Sequence, residues 1–199
     1  MIIRYFEGMK INAIILGVFF LVSGLTCAQA SDSLKVHVVT NDKGKVTAKG
    51  QMLDDVRHGE WLFFREDGTV VTRGKYQNGL KSGPWVTYHK NGKILLQETY
   101  HQDLLNGESL VYFDSGLLLM QMTFSAGKEH GNTVCYYENG EVKFSREMKE
   151  GVLDGRVYLG YPNGEQRGVA HFKNNEQVKC IGDCVSLLDK ITVEKPSNQ

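Results

Sequence analysis

The chain has 199 residues, 41% apolar and 23% charged, which is enough apolar content for a core and too much for a disordered polymer. Lys plus Arg and Asp plus Glu both number 23, giving zero formal net charge, so the basic field that nucleic-acid binding depends on is missing. Glycine at 22 against proline at 3 excludes a Pro-rich linker composition and points to regularly placed turns.

Residues 1–30 read as a signal peptide. The apolar run INAIILGVFFLVSGLTC follows Arg4 and Lys10 and ends in the small-x-small motif Ala28-Gln29-Ala30, so cleavage is expected after Ala30. Met9, followed by Lys10, offers a second start that avoids the acidic Glu7. An uncleaved membrane anchor is the rival reading, but the run is a little short of the roughly 18 to 20 apolar residues a span needs and is broken by Ser23, Gly24 and Thr26. Cys27 has the depth of a lipoprotein cysteine, but Thr26 before it is larger than that processing accepts, so lipidation is not expected.

From residue 59 onward the chain repeats every 24 residues. Gly59, Gly83, Gly107, Gly131 and Gly155 form one series, and Gly68, Gly92, Gly116, Gly140 and Gly164 a second. Five units in register define a repeat array over 59–178, in which each unit covers its neighbour. Residues 31–58 form a degenerate N-terminal cap, with Gly44 on the second series and Lys35 where the first glycine would stand. Residues 179–199 are a C-terminal cap and tail.

Counting the first glycine as place one, apolar residues recur at place four (Leu62, Val86, Leu110, Val134, Tyr158) and place six (Phe64, Tyr88, Tyr112, Tyr136, then Gly160). They recur again at place twelve (Val70, Ile94, Leu118, Val142, then Gln166) and place eighteen (Tyr76, Tyr100, Phe124, Met148, Phe172). This alternation predicts one β-hairpin per unit, even places inward, and an all-β antiparallel meander. A three-residue loop keeps places six and twelve together, and four and fourteen, whereas a two-residue loop would scramble the faces. The second glycine is therefore expected at positive φ, ending a type I turn. The first glycine is expected to begin the next strand after a longer turn, with another left-handed position at Gly79.

Units such as GEWLFFREDGTVVTRGKYQNGLKS and GPWVTYHKNGKILLQETYHQDLLN resemble MORN repeats, in particular the bacterial 24-residue variant. The resemblance runs from about Leu34 to Val178. It weakens in later units, where Ser109, Thr133 and Val157 stand in the places of Trp61 and Trp85. It implies a scaffold or binding surface, and many bacterial members carry only an antitoxin-like label; a fold does not by itself name a function.

No catalytic constellation, metal site or cofactor is expected. His37, His58, His89, His101, His130 and His171 form no close ligand pair, and no GxSxG motif occurs. Glu66, Asp67, Asp114 and Glu138 cluster at hairpin tips, where turn formation is their expected role. Cys135 reads as a packing residue. Cys180 and Cys184 flank a Gly-Asp turn and are expected to close a small disulfide loop in an oxidising compartment.

Odd places carry a second apolar set: Trp61, Phe63, Val71, Trp85, Leu95, Val111 and Leu119. Two readings follow: these aromatics pack on one another or on the cap as the sheet curls, which is favoured, or they form a partner site. The functional expectation is an exported, periplasmic or extracellular, non-enzymatic repeat protein that binds a protein partner or envelope component. The alternatives are an antitoxin or immunity-like protein that neutralises a periplasmic or surface toxin, and a glycan binder.

Overall fold

A computed structural model describes residues 34–182, and every regular element among them is a β-strand. The proposed signal peptide and the tail after residue 182 lie outside the described residues. The cap is a hairpin of β1 (Lys35–Thr40) and β2 (Val46–Leu53). The first unit follows with β3 (Val56–Phe64) and β4 (Val70–Gln77), the second with β5 (Leu80–Tyr88) and β6 (Ile94–His101), and the third with β7 (Leu104–Tyr112) and β8 (Leu118–Ser125). The fourth comprises β9 (Lys128–Glu129), β10 (Gly131–Tyr136) and β11 (Val142–Lys149), the fifth β12 (Val152–Gly160) and β13 (Gln166–Lys173), and β14 (Glu176–Gly182) is the last described strand. All join one antiparallel sheet in chain order, with the short β9 paired only to β8. This is the expected meander.

The predicted loop between the strands of each unit is present. In the first unit the Gly68 amide donates to Arg65 O at 2.9 Å and the Arg65 amide to Thr69 O at 2.8 Å. Gly68 lies at φ +84°, where a Cβ would be unfavourable. Asp67 accepts from the Thr69 amide at 2.8 Å and from its hydroxyl at 2.6 Å, so this tip carboxylate does form the turn.

The facing of the strands departs from the alternation read in the sequence. Phe64 pairs with Val70, six with twelve as expected, but Phe63 then pairs with Thr72, five with fourteen, because Val71 is the extra residue of a bulge. The same shift recurs in each of the five units. One bulged residue reverses which side chains share a face. The buried face therefore takes places three and five from the first strand and fourteen, sixteen and eighteen from the second. Even places are buried in the second strand, at Tyr76 and Phe172, whereas Leu62, Phe64 and most of their equivalents remain half-buried on the opposite face, Val86 and Gly160 being the buried exceptions.

The link between units also differs from the expected long turn. Asn78 and Gly79 lie at φ 51° and 82° between the paired Gln77 and Leu80, a two-residue connection with both central residues left-handed, as a type I′ hairpin requires. Gly79 is left-handed as predicted. The first-series glycine lies inside its strand in four units and begins it, as expected, only at Gly131 in β10. Gly59, at φ +66°, sits in a bulge where Gln51 pairs with His58 and Gly50 with Trp61.

The packed face is organised in rows that cross the strands. The row of places three and sixteen contains Gly50, Trp61, Gly74, Trp85, Glu98 and Ser109, and continues through Met122, Thr133, Arg146, Val157 and Ala170. Sizes along it are complementary. A Cβ on Gly50 would stand 2.2 Å from the Trp61 ring and one on Gly74 2.1 Å from the Trp85 ring, so each indole lies flat on a bare backbone. Where Ser109, Thr133 and Val157 replace tryptophan, Glu98, Met122 and Arg146 replace the glycine. Each indole N–H donates to the carbonyl following its glycine, Trp61 to Gln51 O at 2.9 Å and Trp85 to Lys75 O at 3.2 Å.

Two predictions follow from this backbone and packing. Gly74→Ala and Trp85→Ser should each destabilise, by about 1–3 and 3–5 kcal/mol. Gly74→Glu combined with Trp85→Ser, which copies the natural Glu98–Ser109 pair, should recover at least about 1 kcal/mol of the summed loss in a denaturant double-mutant cycle. Separately, Ala126 occupies the first left-handed turn position at φ 48°. Ala126→Asn should raise the urea midpoint, by up to about 1 kcal/mol of stability.

Candidate functional site

Of the odd-place residues considered as a partner surface, Trp61, Phe63, Trp85 and Val111 lie on the packed face, while Val71, Leu95 and Leu119 are the extra residues of the bulges. Trp61, Trp85 and Val111 are buried, with Trp61 only 1% exposed, and Phe63, Val71, Leu95 and Leu119 are half-buried. Trp61 meets Tyr76 edge-on at 6.0 Å, Tyr76 meets Trp85 at 5.1 Å and Trp85 meets Tyr100 at 6.2 Å. His37 of the cap lies 6.3 Å from Trp61. Trp61 and Trp85 thus pack on neighbouring aromatics and on the cap, as the favoured reading has it, and burial leaves Trp61, Trp85 and Val111 little surface to offer a partner. The signal for this was present in the sequence. Gly50 and Gly74 precede Trp61 and Trp85 by eleven residues, outside both glycine series.

The packed face has two apolar clusters. One unites Ala48, Trp61, Tyr76 and Trp85, and the other extends from Val111 and Met120 to Ala170 and Phe172. Between them lies a polar seam. Glu98 is 7% exposed, and its Oε2 accepts from the Tyr100 hydroxyl at 2.8 Å. Ser109, paired with Glu98 across β6 and β7, is 1% exposed and its Oγ has no hydrogen-bond partner among the described residues. Burial, followed by the bond to Glu98, raises the Tyr100 pKa well above that of an ordinary phenol. Further along, Arg146 and Glu129 form a pair at 3.0 Å, both largely buried, and the Thr133 hydroxyl also donates to Glu129.

Place twenty-three supplies the rim. Arg57 lies 4.7 Å from the Trp61 ring and 5.3 Å from Tyr76, and Lys81 lies 4.5 Å from Trp85 and 4.6 Å from Tyr100. The next units have Leu105, Glu129 and Leu153 at this place.

The opposite face carries a second line of aromatics. Phe64, Tyr88, Tyr112 and Tyr136 stand in line, each half-buried and paired with Val70, Ile94, Leu118 and Val142. Residues two strands apart in one row are spaced by about 9.5 Å, so this line extends roughly 30 Å. In the fifth unit Gly160 replaces the aromatic, but a Cβ there would be 3.2 Å from the Tyr158 ring; Tyr158 leans over the vacated position. A shallow groove of ≈ 270 Å³ runs beside Leu118, Tyr136 and Tyr137. Leu117 and Tyr161, next to this line, are 52% and 43% exposed.

Place seven braces the turns. Arg65 donates to Tyr88 O, His89 Nε2 lies 3.1 Å from Tyr112 O, and the Tyr137 hydroxyl donates to Gly160 O at 3.3 Å. His89 thus has a structural contact, while His130 lies 3.6 Å from the exposed Glu150. Hydrogen bonds from Thr69 hold the Asp67 carboxyl below the usual carboxylate range. No cluster of three or more His, Cys, Asp or Glu suited to a metal occurs among the described residues. Cys135 is a buried free thiol whose pKa burial pushes up, which fits a packing residue. Cys180 is disulfide-bonded; its expected partner Cys184 lies outside the described residues.

A ladder of hairpins that bury their large side chains against neighbouring units defines a β-repeat module. Residues 57–78, 81–102 and 129–150 match the family model described as a MORN repeat variant. The chain carries MORN repeats. No curated protein matches it. Among solved structures it is similar to the crystal structure of TarM, with 13% identity, TM-score 0.32, and coverage of 49% of this chain and 19% of that one. It is also similar to an S. aureus TarM variant in complex with Fondaparinux, alpha-GlcNAc-glycerol and UDP, with 20% identity, TM-score 0.22, and coverage of 59% and 20%. A GtfA/B complex bound to UDP and GlcNAc matches with 14% identity, TM-score 0.24, and coverage of 71% and 24%. The chain spans about a fifth to a quarter of the length of these proteins.

The seam has a measurable pH signature. Because the folded Tyr100 pKa is raised, its contribution to stability is complete below about pH 10, the unfolded phenol value, and is lost as pH rises towards the folded value. In an ultraviolet tyrosinate titration, Tyr100→Phe should remove one phenol from the fraction that ionises only with alkaline unfolding.

Proposed function

We propose that this is an exported, non-enzymatic MORN-repeat protein that binds a protein partner through the line Phe64, Tyr88, Tyr112 and Tyr136. The observation that carries this reading is that these four aromatics, each with an aliphatic neighbour across the ladder, stand in line and keep part of their surface exposed in four consecutive units. Tyrosine and phenylalanine on a rigid support give large contact area for little loss of side-chain freedom, and interfaces are enriched in them. The export half of the proposal is supported by the leader-like composition of residues 1–30, and it directs the search to periplasmic or surface partners, among them toxins that an immunity-like protein would neutralise.

The test uses the mature chain as bait for cross-linking against an envelope extract. A Tyr88→Ser, Tyr112→Ser double variant should keep the wild-type far-ultraviolet spectrum and lose at least tenfold of the specific capture. Equal capture by the double variant would refute the assigned face. Loss of capture together with binding of the wild type on a glycan array would replace the protein partner with a saccharide. Trp61→Ala and Trp85→Ala are unsuitable probes, since both remove interior packing.

A further inference from the structure

We propose that Trp85 and Tyr100 form a recognition cage for a quaternary ammonium cation, which the side chain of Lys81 occupies until such a ligand displaces it. The two rings stand at 73° to one another with centroids 6.2 Å apart, and the Lys81 Nζ lies 4.5 Å from one and 4.6 Å from the other. A cation within about 6 Å of two ring faces is held by both quadrupoles, the arrangement by which aromatic cages select quaternary ammonium groups. Glu98, whose carboxylate is bonded to the Tyr100 hydroxyl at 2.8 Å, places a negative charge beside the same ring.

The occupant is a feature of the cage rather than of the repeat. Place twenty-three holds a cation only in the two hairpins with tryptophan at place three: Arg57 with Trp61 and Tyr76, Lys81 with Trp85 and Tyr100. Where Ser109, Thr133 and Val157 take over, the corresponding residues are Leu105, Glu129 and Leu153. Of the two cages, the second has the more readily exchanged occupant. Arg57 is anchored by a bond from Nη1 to the Tyr76 hydroxyl at 3.2 Å; a primary ammonium such as that of Lys81 is strongly hydrated and flexible. Lys81 is only half-buried whereas Trp85 is 5% exposed, so the lysine stem separates the cage from solvent. A tetra-alkylated ammonium loses less hydration on entering the cage and competes on that ground.

The test is a tryptophan-fluorescence titration of the mature chain with choline chloride, matched in ionic strength with sodium chloride. Lys81→Ala should show saturable quenching with a Kd at least tenfold lower than the wild type, and choline's uncharged carbon isostere should give none. Lys81→Met, which keeps an apolar stem, serves if the alanine variant is not folded by its far-ultraviolet spectrum. Adding Tyr100→Leu to the lysine variant should abolish the response. Absence of saturable quenching in both folded lysine variants, or equal quenching by the uncharged isostere, would overturn the proposal.

Discussion

An indole laid flat on a bare stretch of neighbouring backbone is the contact on which the rest of this sheet depends. A single-layer sheet has no second layer to bury its large side chains, so burial must come from adjacent strands in the same plane. Trp61 achieves this by covering Gly50, and Trp85 by covering Gly74. The closeness that glycine permits brings each indole N–H to a main-chain carbonyl, satisfying a donor that would otherwise be costly to bury. Later hairpins solve the same problem in reverse, with a long side chain on one strand and a small one opposite. The array is thus a set of matched junctions rather than five copies of one solution.

Much of this was legible in the sequence. The 24-residue spacing of Gly59 and Gly68 and their equivalents gave the strand class, the meander order and the turn bearing the second glycine. The facing of the first strand was not legible, because a bulge at place thirteen leaves no residue-type signature: Val71, Leu95, Leu119, Lys143 and Arg167 share no property except position. A period-two count carried through that point assigns Leu62 and Phe64 inward and Trp61 outward. The two tryptophans were the contrary hint, since side chains of that size are among the most costly to leave in water. The connections between units were obscured by composition. Asp54-Asp55, Gln102-Asp103 and Asn174-Asn175 make the same left-handed turn as Asn78-Gly79, without the glycine that identifies it.

The division of the two faces organises the functional reading. The packed face stores hydrophobic energy, and its polar groups, Glu98, Ser109, Glu129 and Arg146, interrupt that store at defined points. The opposite face repeats an aromatic and an aliphatic residue at each step while leaving both partly wet. Both tryptophans are thus hidden on one face, while Tyr88, Tyr112 and Tyr136 on the other keep part of their surface in water.

The size matching across the row of places three and sixteen also limits how such a gene can grow. Duplicating the hairpin that contains Trp61 and Gly74 would give a longer array whose new seam is again indole against glycine. Joining Glu98 to a tryptophan-bearing hairpin would drive a carboxylate into an aromatic ring, and joining Gly74 to the hairpin of Ser109 would leave a hollow. Lengthening by whole modules is therefore open within the aromatic end and within the aliphatic end, and closed across the boundary between them.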